Sequence, residues 1–475
     1  MTINGYTLDE AQQAPILENP KYSLIIAGAG SGKTLTLIGK IKYLLDTQKC
    51  EAKEILCLSF TNETVKDLKE KILLNTHQDI DVLTFHKLAL NILKDSSLKL
   101  CDDKFLRYVE NEFFESFFLE NKYVLEALGK ICFLKPSPKK VKRLLKSNLK
   151  MAIKKDIHTF LMLYKANNYT DEYFIELIKK GKYRHFLMIS YALFLLYENE
   201  KKAQNKIDFD DLIKEAIQSL KKEDHHLPYK YILIDEFQDT SQLRFDLILE
   251  IIKQTNASLC VIGDDYQSIY RFSGCDLNLF LHFDKIFKNA KYYKLTKTYR
   301  NSNELIKVAG DFIMKNPYQI KKNLKSSKHL EKPIVIVYYK DSKKVFNRLL
   351  EKIETSTLLV LGRNEKDILN YSYDHSKYSF KYMTVHKSKG LEAENVIVLN
   401  LENKIYGFPN QLKDQKVLSL ITNPAQFLFD EERRLFYVAL TRTKNYVYLL
   451  VNKKNPSIFI KEILKEKKYI KIIYL

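Results

Sequence analysis

Six cysteines occur in the 475 residues, and no two are spaced as C-x-x-C. Cys50, Cys57, Cys101, Cys132, Cys260 and Cys275 are scattered, which excludes a zinc or iron–sulfur framework built on paired thiolates. Several lie in apolar runs, where cysteine acts as a small core residue, and a reducing compartment fits. No run of about 18 apolar residues occurs, so no membrane span is expected. The opening MTINGYTLDEAQQ lacks the basic-then-apolar pattern of a signal peptide, so no secretion is expected either, and the expected location is cytoplasmic. There is no low-complexity linker and no repeat of fixed short period.

What is present is charge, length and an alternating pattern. The formal net charge is +20. Such an excess raises the local concentration of polyanions such as nucleic acid, although a lysine-rich proteome would give the same figure. The length calls for two to four domains, each with its own core. Hydrophobic content of 45% and charged content of 29% describe a globular chain. Ser23–Ala27 and Glu54–Ser59 read as buried strands, each followed by an amphipathic helix, Thr34–Leu45 and Asn62–Leu73. That is βαβ logic and implies a parallel sheet covered by helices. From about 91 to 204 the strand signal gives way to aromatic and lysine-rich helical spacing, broken by the turn KPSP at Lys135–Pro138. Strands then return at Tyr231–Ile234 and Leu259–Ile262. A further block has strands near Pro333–Tyr338, Leu358–Leu361, Val396–Leu399 and Tyr446–Val451. The fold class is α/β, with a discontinuous first domain (1–90 and 205–290), a helical insertion (91–204) and a second domain (291–475).

The segment AGAGSGKT comprises Ala27, Gly28, Ala29, Gly30, Ser31, Gly32, Lys33 and Thr34. It has the form of a phosphate-binding loop, with alanine for the first glycine. Its glycines let successive N–H groups face phosphate oxygens, and the helix behind adds its positive end. Lys33 would reach the β- and γ-phosphates, and Thr34 would ligate Mg²⁺. Asp235-Glu236 follows the strand YILI. Asp235 would hold Mg²⁺ through water, and Glu236 would polarise the attacking water. In open α/β sheets ligands sit at these carboxyl ends.

With the P-loop, DEFQDTS and GDDYQSIYRFSG in view, the chain resembles superfamily 1 helicases of the UvrD/Rep/PcrA type, in motif wording closest to helicase IV-type members. Further motifs follow in the family's order: Leu8-Asp9-x-x-Gln12, Ser59-Phe60-Thr61-Asn62, Thr84-Phe85-His86, Asp208–Leu212, Tyr299-Arg300, Thr384-Val385-His386 with Lys389–Glu392, and Glu432-Arg433-Arg434 through Arg442. The resemblance implies two RecA-like motor domains, ATP with Mg²⁺, and single-stranded DNA or single–double-strand junctions as partner. By it, Gln12 and Tyr299 hold adenine, Gln267 senses the γ-phosphate, and Glu392 bonds the ribose. Arg300 and Arg442 reach the γ-phosphate from the second domain; one such guanidinium can change a phosphoryl-transfer rate by ~10³–10⁵. Without the pattern, each arginine would read as a surface ion pair.

The resemblance also assigns Phe60, Asn62, His86, Tyr270, Phe272 and His386 to the DNA track. Base stacking tolerates any sequence because every base has a π-face. The alternative for each aromatic residue is core packing. Lys139, Lys140, Lys142 and Arg143 are candidate duplex contacts or a solvated helix face. Leu35, Arg244 and Ser273 depart from residues usual in the family, and Phe272 stands where tryptophan is common. The short span from Arg300 to Thr384 implies that the 2B domain of relatives is absent or vestigial. Two functions are expected: a 3′–5′ DNA helicase in repair or replication, or a DNA-stimulated ATPase resembling Gabija-type phage defence that acts with a partner nuclease. Nothing in the chain resembles a nuclease centre. A non-motor P-loop regulator fits the complete motif set poorly.

Overall fold

The computed structural model describes residues 1–3, 5–94, 99–117, 127, 148–223, 225–369, 371, 379–412, 415–423 and 426–474. Two six-stranded sheets, parallel throughout, organise the chain. The first contains β1 (Tyr22–Ile26), β2 (Ile55–Ser59), β3 (Asp81–Thr84), β4 (Tyr231–Ile234), β5 (Ser258–Gly263) and β6 (Lys291–Lys294). Its spatial order is β6-β1-β5-β4-β2-β3. The inner strands are continuous apolar runs such as ILCLS, buried along their length, as expected where helices cover both faces. Helices Lys33–Asp46 and Gln242–Thr255 supply some of that cover. The order places the carboxyl ends of β1, β5 and β4 side by side, so the turns after them share one edge.

The second sheet contains β7 (Ile334–Tyr339), β8 (Thr357–Gly362), β9 (Ser379–Thr384), β10 (Ala393–Leu401), β11 (Thr443–Asn452) and β12 (Ile470–Tyr474), in the order β9-β8-β10-β11-β7-β12. Helices Asn303–Ile313 and Asp430–Thr441 pack on it.

The expected start of the second block at 291 differs from the strand pairing. Lys291–Lys294 is the edge strand of the first sheet, in register with Ser23–Ile26. Its sequence, KYYK, is mostly exposed and carries no apolar run, so it gives no strand signal of its own.

The insertion is helical where described: Asp103–Glu112, Asn148–Ala166, Asp171–Lys179 and Arg184–Ala203. A short parallel pair, Lys99–Leu100 with Lys206–Ile207, brings its two ends together. Behind that pair, Lys165 and Lys201 are buried among Glu198, Asp208 and Asp211. The insertion also meets the second domain: Tyr169 Oη donates to the Ile421 carbonyl at 3.4 Å, and Tyr173 Oη to that of Leu420 at 3.2 Å. The turn at Lys135–Pro138 and the basic residues Lys139, Lys140, Lys142 and Arg143 lie outside the described residues, as does Cys132. Cys50, Cys57, Cys101 and Cys275 are buried, Cys260 is partly buried, and all five are free thiols. No described helix is long and apolar enough to cross a membrane.

Candidate active site

The loop after β1 turns tightly into the helix Lys33–Asp46. Gly30 (φ 69°) and Gly32 (φ 79°) both adopt left-handed backbone, which a side chain would strain. A Cβ on Gly30 would lie 2.5 Å from Arg300 Cβ, so the loop is pressed against the second domain's side of the cleft. The Ala27 amide donates to the Gly263 carbonyl at 2.8 Å, and Ser31 Oγ to the Gly28 carbonyl at 2.9 Å. Ala29 is buried, and Thr34 sits in the first helical turn beside Lys33.

Lys33 Nζ lies 2.7 Å from Glu236 Oε1. Asp235 Oδ1 accepts from the Glu236 amide at 2.9 Å. Glu236 itself has φ 50°, an unusual conformation for a residue with a side chain and one that concentrates at functional sites. Burial, then the neighbouring Glu236 charge, pushes the Asp235 carboxyl up. Burial would push Glu236 up too, but Lys33 and Lys389 outweigh it and hold it down. The same acids keep Lys33 raised against its own burial. Burial and the Glu236 charge make ionisation costlier at Asp235 than at Glu236, a cost that a divalent cation held by Asp235 and Thr34 would offset.

Gln267, after β5, spans the cleft. Its Nε2 donates to Asp264 Oδ2 at 2.6 Å, and its Oε1 accepts from Arg442 Nη2 at 2.8 Å. Arg442 is fully buried, and burial followed by the nearby Arg300 charge lowers it to about 9. Arg300 Nε pairs with Glu392 Oε2 at 2.6 Å, and Lys444 pairs with the other oxygen of that carboxylate at 2.9 Å. At the outer rim, Gln12 completes a capping box with Asp9, and its Nε2 donates to the Ser31 carbonyl at 3.2 Å. The Tyr299 amide donates to the Gly30 carbonyl at 2.8 Å and its hydroxyl to Asp9 at 2.8 Å; the ring is half exposed. Gln12, Lys33, Asp235, Glu236, Gln267, Tyr299, Arg300, Glu392 and Arg442 therefore gather in one cleft between the sheets.

The aromatic candidates form two groups. In one, Tyr270, Phe272 and His386 meet edge-on, with ring centroids 6.1 and 5.7 Å apart, and Tyr270 Oη donates to the His386 carbonyl at 3.1 Å. Phe272 is 56% exposed, too open for a core residue. In the other, Phe60 packs on Phe85 at 5.4 Å beneath the Arg244 guanidinium at 5.5 Å, and His86 packs on Phe209 at 4.7 Å. Burial lowers both His86 and His386 to about 4, helped by Arg244 and Arg363 respectively, so both rings are neutral near pH 7. Asn62 is exposed at the start of the helix Asn62–Thr76. Ser273 Oγ donates to the Tyr270 carbonyl at 2.8 Å, and Leu35 joins the apolar cluster behind the P-loop.

Several contacts in the site join residues that the motifs do not pair. Phe209 sits in DFDDL, legible only as a connecting segment. Lys389 reaches across to Asp239 at 2.5 Å and to the Gln267 carbonyl at 2.7 Å. Arg363 forms a two-pronged pair with Glu432. Nothing in local spacing marks such partners, because they lie far apart in the chain.

Sequence comparison places these features in a family. Residues 8–288 match the model of the UvrD/REP helicase N-terminal domain, and 364–454 that of the UvrD-like helicase C-terminal domain. The chain is 31% identical to DNA helicase IV of Escherichia coli over 98% of its own length and 71% of that protein's. It is 27% identical to the ATP-dependent DNA helicase PcrA of Bacillus subtilis over 70% of its own length and 42% of that protein's. It is 26% identical to a probable DNA helicase of Mycoplasma pneumoniae over 97% of its own length and 87% of that protein's. The chain thus spans well under two thirds of the PcrA relative and more of the other two. The first match takes in five strands of the first sheet and the second match three strands of the second, and the chain belongs to the UvrD/Rep helicase family.

Proposed function

We propose that the protein is an ATP-driven DNA motor that translocates on single-stranded DNA and separates strands with 3′–5′ polarity. The observation that carries this reading is the convergence in one cleft of Lys33, the Asp235-Glu236 pair, Gln267, Arg300 and Arg442, the two arginines coming from the second domain. Lys33 and the glycine-rich turn bind the triphosphate. Thr34 and Asp235 would hold Mg²⁺, which would supply positive charge to the transferring phosphate. Glu236 takes a proton from the attacking water once Lys33 has moved from its carboxylate to phosphate. Arg300 and Arg442 meet the charge that develops on the transferred group. Both belong to the opposite domain, so hydrolysis depends on closure and its release permits opening. Gln12 and Tyr299 receive adenine, and Glu392 faces the ribose.

The track runs over the same domains. Phe272, Tyr270 and His386 lie at the junction of the two sheets, so relative motion of the domains shifts His386 against Tyr270, Phe272, Phe60 and His86 on the first. Each stack is worth ~1–3 kcal/mol, strong enough to grip and weak enough to slip. The service of this motor is DNA repair or replication in the cytoplasm. Strand displacement on 3′- and 5′-tailed duplexes with ATP tests the reading: unwinding of the 3′-tailed substrate is expected, and displacement of neither substrate, or only of the 5′-tailed one, overturns it. Lys33→Ala is expected to abolish hydrolysis with single-strand binding nearly intact.

A further inference from the structure

The segment Ile320–Lys325 belongs to neither sheet, yet it touches both sides of the cleft. It follows the helix Asn303–Ile313 of the second domain. It then runs beside the connector after β6, with the Lys325 amide donating to the Thr296 carbonyl at 2.8 Å and the Thr298 amide to the Lys325 carbonyl at 2.9 Å. Leu324 lies on the P-loop so closely that a Cβ on Gly28 would sit 2.5 Å from its Cδ1. Ile320 donates its amide to Asp265 Oδ2 at 2.8 Å and accepts at its carbonyl from Tyr266 Oη at 2.8 Å.

Between these contacts stands Lys322. Its side chain is 2% exposed, and those of Asp264 and Asp265 are both 0% exposed. Its Nζ pairs with Asp264 Oδ1, lies 2.6 Å from Asp265 Oδ1, and sits 3.7 Å from the centre of the Tyr266 ring. The second oxygen of Asp264 is the one that accepts from Gln267 Nε2. The Gln267 amide therefore has a carboxylate on one side and the Arg442 guanidinium on the other. Only one orientation satisfies both, with the NH₂ toward Asp264 and the oxygen toward Arg442. That orientation depends on Asp264 keeping an acceptor oxygen fixed toward Gln267. A carboxylate without solvent stays so only with a counter-ion in place, and Lys322 is that counter-ion.

We propose that Lys322 is a positioning residue for ATP hydrolysis: it holds Asp264, and through Asp264 the amide of Gln267, in the orientation that faces Arg442. The inference rests on the ATPase reading above. Lys322 reaches the first domain's carboxylates from the second domain's chain, so opening the cleft would loosen Gln267 at the same time as it withdraws Arg442. The sensor and the arginine would then be switched by one motion.

The test is steady-state ATP hydrolysis with a single-stranded oligonucleotide for wild type, K322M, K322R, Q267A and Q267A/K322M. K322M is expected to lower kcat about tenfold, the scale on which the orienting partner of a reacting group acts, with KM for ATP changed less than about threefold. K322R should recover most of the loss. Q267A/K322M should be no slower than Q267A, because the lysine acts through the glutamine. An equal further loss on the Q267A background, or K322M indistinguishable from wild type, would overturn the proposal and leave the ATPase reading standing. Absence of hydrolysis by wild type would overturn both. If K322M shows no cooperative melting transition, D265N/K322M keeps the cluster's net charge and carries the same comparison.

Discussion

Lys33 Nζ and Glu236 Oε1 are 2.7 Å apart, so the loop lysine and the second acid of the pair neutralise each other at the carboxyl edge of the first sheet. On the proposed reading a nucleotide phosphate would compete with Glu236 for the same ammonium group, and binding would free the carboxylate at the moment a base is needed. Glu236→Gln should lower ATP hydrolysis at least about a hundredfold, the usual contribution of a positioned base. Nucleotide affinity should hold or tighten, because the ammonium is no longer shared with a charged group. Hydrolysis assays paired with equilibrium binding of a fluorescent ATP analogue check both halves, and a parallel loss of affinity would contradict this role.

Phe272 offers a face to solvent while its edge meets Tyr270 and His386. Phe272→Ala should reduce DNA-stimulated hydrolysis far more than basal hydrolysis, and weaken oligonucleotide binding by the ~1–3 kcal/mol of one base stack. The melting temperature should move little, since the ring is mostly exposed. Equal loss of stimulated and basal rates would instead mark Phe272 as part of the fold.

Burial holds His86 and His386 at about 4, below the ordinary 6.5. The sign follows from where protons go. Between those values the unfolded chain takes up a proton that the folded rings refuse, so stability is fully present above about pH 6.5 and falls as pH drops toward 4. Replacing either histidine with glutamine should flatten the slope of unfolding free energy against pH in that window. Denaturant titrations at pH 7, 5.5 and 4.5 measure it, and an unchanged slope would show that other groups dominate.

The insertion is held to the first domain by charge. Lys165 and Lys201 stand among Glu198, Asp208 and Asp211, whose ligand oxygens lie within 4.8 Å of one another. Three such carboxylates resemble a cation site, but each of the two ammonium groups already pairs with all three. A chelator should leave the melting temperature unchanged. Lys201→Met should cost about 3–5 kcal/mol, the usual loss when one partner leaves a buried charge network. Limited proteolysis should then cut first near 99–103 and 203–207, where the insertion joins the first domain.

The strands show where local reading succeeds and where it stops. All eight inner strands of the two sheets were legible as apolar runs, because a strand covered on both faces must be apolar throughout. The four that left no such trace, Asp81–Thr84, Lys291–Lys294, Ser379–Thr384 and Ile470–Tyr474, are the four edges. Edge strands are partly open to water, so their residues carry little of the sheet's signal, and their membership is decided by pairing with strands distant in the chain.

The candidate site divides the same way. AGAGSGKT and Asp235-Glu236 are contiguous, because phosphate binding needs consecutive backbone amides and strand-end carboxylates; their amino-acid order alone determined the chemistry. The partners of those groups are not contiguous. Arg442 on Gln267, Lys389 on Asp239 and Lys322 on Asp264 join residues 175, 150 and 58 positions apart. A buried charge requires a counter-charge somewhere, but no local pattern says where. Only the packing of one sheet domain against the other decided which lysine and which arginine would meet that need.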